Sequence, residues 1–186
     1  MARFLKYILT CFFLAALACF ALDLVYTKII SRAENRELTQ RLNGLHNQHF
    51  DYIILGNSRT EFGLNPVWIE EQTKRKGINL SFNGGRLIDN LMCLDWFWSN
   101  GNRCEKIILQ IDDVNGFHKA PSALFKPMVV PFARMEPVKN YIPEMYADAW
   151  AILHLPFYRY ARYNFHWNPK ELIACLALDN DPSSMG

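Results

Sequence analysis

A serine hydroxyl, a pair of glycines and a pair of carboxylates end three apolar runs in this chain, and together they supply the ingredients of acyl transfer. The serine is Ser58 within Gly56-Asn57-Ser58-Arg59-Thr60, the glycines are Gly84 and Gly85, and the acids are Asp112 and Asp113, with Asn115 just beyond. A hydroxyl at a strand end offers a nucleophile, glycine backbone offers N–H donors that approach an oxyanion closely, and acids offer proton transfer. Other uses compete. Serine after a strand commonly hydrogen-bonds its own turn. Arg59 suits an anionic group, or a surface pair with Glu61 or Asp89. Asp112 and Asp113 point opposite ways on an extended chain, which argues against a shared cation site. A phosphate cradle at Gly56–Thr60 would need the Gly-Lys-Ser/Thr ending, which is missing.

The elements that must position these residues are legible in the pattern. Asp51-Tyr-Ile-Ile-Leu-Gly56 is a short apolar run stopped by glycine, as expected of a strand buried on both faces of a parallel sheet. Asn65 can cap a helix that Pro66 opens, with Leu64 stapled onto Ile69, Lys74-Arg75-Lys76 at its end and Gly77 as its left-handed stop. Ile78, Leu80 and Phe82 alternate with Asn79 and Ser81, predicting a second strand that ends at Asn83-Gly84-Gly85. Leu87, Leu91, Leu94 and Trp98 share one helical face, and Gly101 closes that helix. Lys106–Ile111 repeats the buried-strand signature. Strand, helix, strand, helix, strand over residues 51–117 implies right-handed crossovers and a parallel sheet whose ligand edge is the carboxyl end of the strands.

On these residues the chain resembles the SGNH (GDSL-type) hydrolases, and more closely their membrane-anchored relatives associated with envelope polysaccharides. Gly56-Asn57-Ser58 is similar to the first block, Gly-Asp-Ser, with Asn57 in place of aspartate; the match makes Ser58 the nucleophile. Asn79-Leu-Ser-Phe-Asn-Gly84 is similar to the second block and assigns an oxyanion N–H to Gly84. Gln110-Ile111-Asp112-Asp113 stands where the third block, Gly-x-Asn-Asp, belongs. None of His46, His49, His118, His154 and His166 has aspartate three residues before it, so the Asp-x-x-His block that carries the base has no counterpart. Three predicted strands against the five or six of a doubly wound sheet favour a shortened chain over a relative that has lost catalysis. The resemblance implies a partial flavodoxin-like three-layer α/β domain. It implies an esterase or O-acyltransferase acting on acyl esters of a glycan, without metal or organic cofactor. The alternative is a non-catalytic, membrane-tethered glycan-binding or assembly protein of the same fold.

Around that core, residues 1–30 predict an anchor. Tyr7–Leu22 carries no charge and the apolar character continues through Leu24-Val25-Tyr26, enough for one bilayer crossing. Arg3 and Lys6 place the N-terminus in the cytoplasm and the domain outside. A cleaved signal competes, because Ala16-Leu17-Ala18 resembles a cleavage site, with Cys19 hinting at a lipoprotein. Residues 31–50 read as a juxtamembrane helix or a solvated stalk. Residues 118–186 are rich in proline and aromatics and predict helices over 147–163, broken near Pro156, and over 171–178. Their aromatics read as core, with a sugar-binding groove as the competing use, and His154 and His166 read as structural. A net charge of +2 with Lys and Arg scattered among acids speaks against nucleic acid as a partner. Five cysteines without metal-ligand spacing predict no metal site, and read as thiols with a Cys93–Cys104 bridge as the alternative.

Overall fold

The computed structural model describes residues 1–33, 37–111 and 120–178. Its first element, α1 (Ala2–Ile30), is by length and composition able to cross a membrane, with a mean hydropathy of 2.5 over its apolar window. Only its last turns are covered: Asp23 and Ile30 are buried, whereas Leu9, Phe13 and Leu17 stand open. A short helix, α2 (Leu38–Gly44), then folds back onto that end. Gln40 Nε2 donates to the Ile30 carbonyl at 3.0 Å and Asn43 Nδ2 to the Ser31 carbonyl at 2.9 Å. Leu38, Thr39, Gln40 and Leu42 are buried, so this stretch belongs to the core instead of standing as a solvated stalk.

Strand β1 (His49–Leu55) is the centre of the sheet, and Ile53, Ile54 and Leu55 on it are buried. It runs into α3 (Ser58–Gly63), followed by α4 (Pro66–Thr73). Asn65 caps α4 as its sequence predicts, its side chain accepting from the Val67 and Trp68 N–H groups. The left-handed stop is Lys74 at φ 58°, not Gly77, because Gly77 already begins β2 (Gly77–Asn79). That strand is shorter than the alternation of Ile78, Leu80 and Phe82 predicts. Asn79 turns its amide to the Thr60 and Leu64 carbonyls, at 2.8 and 2.9 Å, and its Oδ1 accepts from the Ser81 N–H. The chain therefore leaves the edge, and Leu80, Ser81 and Phe82 are all buried without alternation.

Helix α5 (Leu87–Ser99) corrects a second expectation. The helix is apolar nearly all round, and the face it buries is Met92, Cys93, Trp96 and Phe97, with Phe97 against Phe50 of β1; Leu87, Leu91 and Trp98 are 40–47% exposed. Period alone cannot choose a face when two faces are apolar. After α5, β3 (Arg103–Leu109) pairs with the other side of β1, so the all-parallel order is β2-β1-β3. Ile107, Ile108 and Leu109 are 37–44% exposed despite their buried-strand signature, because no strand pairs beyond β3 among the described residues.

Among the described residues after β3 the regular elements are all helical: α6 (Phe125–Val129), a 3-10 turn at Val130–Phe132, α7 (Val138–Met145), α8 (Ala149–His154), α9 (Tyr158–Arg162) and α10 (Pro169–Leu178). The break between α8 and α9 falls at Leu155-Pro156-Phe157, where the proline predicts it. Phe125 stacks on Phe82 and Phe132 leans on Trp96, joining this segment to α5 and the sheet in one core. Tyr146, Tyr160 and Trp167 are buried in that core, while Trp150 and Phe165 are not. All five cysteines are thiols.

Candidate active site

Two strand-end loops meet at the carboxyl edge of β1 and β2. Gly56 ends β1, and its N–H donates to Asn90 Oδ1 on α5 at 3.1 Å. Asn57 then caps α3: its Oδ1 accepts from the Arg59 N–H at 3.0 Å and its carbonyl accepts from Thr60 and Glu61. Ser58 is thereby the first residue of α3, half-buried, ahead of the buried Thr60. The second loop carries Gly84, at φ 74°, a conformation that costs a side-chain-bearing residue about 1–2 kcal/mol. Its neighbour Gly85 packs so tightly on the first loop that a Cβ there would lie 2.5 Å from the Gly56 carbonyl oxygen. Among the described residues, nothing accepts from the N–H of Ser58 or of Gly84.

Gln110, directly after β3, closes the third side. Its Oε1 accepts from the Thr60 hydroxyl at 3.1 Å and from the Asn57 N–H at 3.4 Å, so its side chain fills the crevice where the strand order switches between β1 and β3. A Cβ on Gly56 would strike both partners, 2.3 Å from Thr60 Oγ1 and 2.9 Å from Gln110. Glycine is needed here for space.

Behind the Gly84 loop lies a carboxylate. Asp89 is 1% exposed, and it accepts from the Arg86 N–H at 3.1 Å and the Ser122 N–H at 3.0 Å. Burial pushes its pKa up to about 6, against the pull of those two backbone donors. Its oxygens are committed to the loops, which makes Asp89 a support for Gly84 and leaves the Ser58 hydroxyl without its help. Asn90, Gln110 and Asp89 are the site residues that sequence reasoning left without these roles. Each is a polar residue at the end of a strand or in the first turn of an otherwise apolar helix, and that is the signal that could have marked them.

Beside α3 a groove of about 510 Å³ opens between α2, the start of α4 and β2. Arg41, Glu61, Asn79 and Ser81 supply its polar groups, with Phe62 and Leu64 as apolar wall. Glu61 Oε2 and Ser81 Oγ are buried with no hydrogen-bond partner. Desolvation lowers the Arg41 pKa and the Glu61 carboxylate opposes that shift.

The expected acids fall outside this picture, since Asp112, Asp113 and Asn115 lie outside the described residues, as does His118. The other four histidines have these places. His46 precedes β1 and His49 begins it, so both are at the opposite edge, about 20 Å of strand from Leu55. His154 packs its ring on Trp150, and His166 faces Glu37 at 3.3 Å. Among the described residues no cluster of His, Cys, Asp and Glu could hold a metal ion. No family model, curated protein or solved structure matches the chain.

Proposed function

We propose that this protein is a membrane-anchored, SGNH-like esterase or O-acyltransferase that acts outside the cytoplasm on acyl esters of an envelope glycan. The observation that carries the reading is the contact between Gly85 and the Gly56 carbonyl, which brings the Ser58 loop and the Gly84 loop together with two uncommitted N–H groups. Further support comes from the order β2-β1-β3 with all strands parallel, which is the opening order of a flavodoxin-like sheet, whose ligands sit at the carboxyl edge. In this mechanism Ser58 Oγ attacks the acyl carbonyl carbon and gives its proton to solvent water, and the carbonyl π bond opens to an oxyanion that accepts from the N–H groups of Ser58 and Gly84. Collapse breaks the ester C–O bond to release the glycan hydroxyl, which takes a proton back from water. Such donors are each worth about 10²–10³ in rate in related chemistry. The groove at Arg41, Glu61 and Ser81 would take the remainder of the substrate, its two unpartnered buried oxygens meeting hydroxyl groups.

The test is turnover of a chromogenic acetyl ester and of an O-acetylated polysaccharide by the full chain in detergent, with Ser58→Ala as comparison. Loss of turnover in the variant supports the reading; equal turnover by both proteins ends it. The second reading, a non-catalytic glycan-binding protein tethered to the membrane, is favoured by the placement of His46 and His49 at the far edge of the sheet from Ser58. It predicts glycan binding with no turnover in either protein.

A further inference from the structure

We propose that the corner between α8 and α9 lies in the lipid headgroup layer, so that the domain rests on the bilayer through Trp150 and Leu155 in addition to its anchor; this rests on reading α1 as membrane-spanning. The geometry starts from a buried charge. Asp23 is 2% exposed and sits seven residues before the end of α1. From Arg3 to Leu22 the helix rises about 30 Å, the thickness of a hydrocarbon core, which puts Asp23 at the far boundary.

At that level the domain grips the helix. Arg159 donates to both Asp23 oxygens, Nε and Nη2 each at 3.1 Å, and Arg134 Nη1 donates at 2.7 Å. The Phe157 N–H adds a fourth bond at 3.1 Å. Arg134 also donates to the carbonyls of Leu153 and Leu155, at 2.7 and 3.2 Å. Two guanidinium groups thus fix the end of α8 and the corner after it to the height of Asp23.

The opposite face of α1 marks where lipid reaches. Leu22, Leu24 and Val25 are 44–54% exposed there, so an apolar surface continues past Asp23 on the side the domain leaves open. A bilayer that covers those residues meets the corner at the same height. Trp150 is 66% exposed and Leu155 39%, and Trp150 shares a face of α8 with His154. Indole is suited to this layer, with an apolar ring and an N–H for headgroup oxygens. Lys28 and Arg32, exposed just beyond Val25, place cations at phosphate height.

The test is tryptophan fluorescence of the full chain in phosphatidylcholine–phosphatidylglycerol vesicles whose acyl chains carry bromine near the headgroup. Helix α1 contains no tryptophan, so quenching reports the domain. Quenching in the wild type that is lost in Trp150→Phe, a change at an open position, is the expected result. Quenching that is absent, or unchanged in Trp150→Phe, while the protein stays in the vesicles after an alkaline carbonate wash, overturns the proposal and leaves the anchor standing. Release by the wash overturns both.

Discussion

A methyl group on Gly85 would stand 2.5 Å from the carbonyl oxygen of Gly56, and 3.1 Å from both a ring carbon and the carbonyl of Phe82. Two of those three atoms are backbone, so neither can swing aside. Gly85→Ala therefore forces the two loops apart, and overpacking of this kind costs about 1–3 kcal/mol. For a chain of this length that corresponds to a fall in Tm of about 3–10 °C. Gly63→Ala is the control, because a Cβ there meets nothing within 4 Å. Thermal melts of both variants should separate clearly; a Gly85→Ala protein as stable as Gly63→Ala would show that the loops do not touch.

Asp89 makes stability depend on pH in a window set by its raised pKa. Below about pH 4 the group is protonated in both the folded and the unfolded chain, so burial carries no charge penalty. As pH rises toward 6 the unfolded chain ionises first, and stability falls. Above that the loss is constant, at roughly 3 kcal/mol for a shift from 3.8 to about 6. Asp89→Asn keeps an oxygen for the Arg86 and Ser122 N–H groups without the charge. The difference in Tm, variant minus wild type, should climb between pH 4 and 6 and then level off. A flat difference across that range would show that Asp89 ionises normally.

Ser81 poses the opposite case, a buried hydroxyl with nothing to bond. Removing a polar atom that has no partner relieves a desolvation cost of about 1–3 kcal/mol instead of breaking a bond. Ser81→Ala should then leave stability unchanged or raise it, as read by thermal or denaturant unfolding. If the groove holds the substrate, the same change raises KM for a glycan ester more than for a small chromogenic ester. Equal effects on both esters would detach the groove from the site.

How much of this was legible beforehand depends on whether the controlling force is local. The cap at Asn65 and the break at Pro156 are local, and both appear where the residues put them. The glycines that end β1 and precede α5 are likewise local, and the loops they form do meet. The extent of β2 was not legible, because it is cut short by Asn79 reaching Thr60 and Leu64, bonds to a different loop. The buried face of α5 was hidden for another reason: Leu87, Leu91 and Trp98 are as apolar as the face that packs, and only tertiary partners such as Phe50 and Phe132 decide between them. Asn90 was invisible as part of the site, and Gln110 was legible only as the start of the third-block position, since the bonds both make exist only once three strand ends lie side by side. Asp23 reads in the sequence as one of the mixed charges on the far flank of the anchor, with Lys28 and Arg32. Its arginine partners are more than a hundred residues away.

That distant partnership gives the last prediction. Arg159 is 2% exposed, holds both oxygens of Asp23, donates to Thr27 Oγ1 at 2.7 Å and lies over the Tyr160 ring. Arg159→Met keeps the volume but leaves Asp23 with Arg134 as its one cationic partner, and stranding a buried charge in this way costs about 3–5 kcal/mol. Replacing both partners, Asp23→Asn with Arg159→Met, removes the stranded charge, so the double variant should be more stable than Arg159→Met alone. Unfolding followed by near-ultraviolet circular dichroism in detergent gives the four corners of the cycle. A coupling energy on the order of 1 kcal/mol or more is expected for residues in direct contact. Additive effects would mean that the ion pair does not join α1 to the domain, and the corner at Leu155–Phe157 would then lose its fixed height above the bilayer.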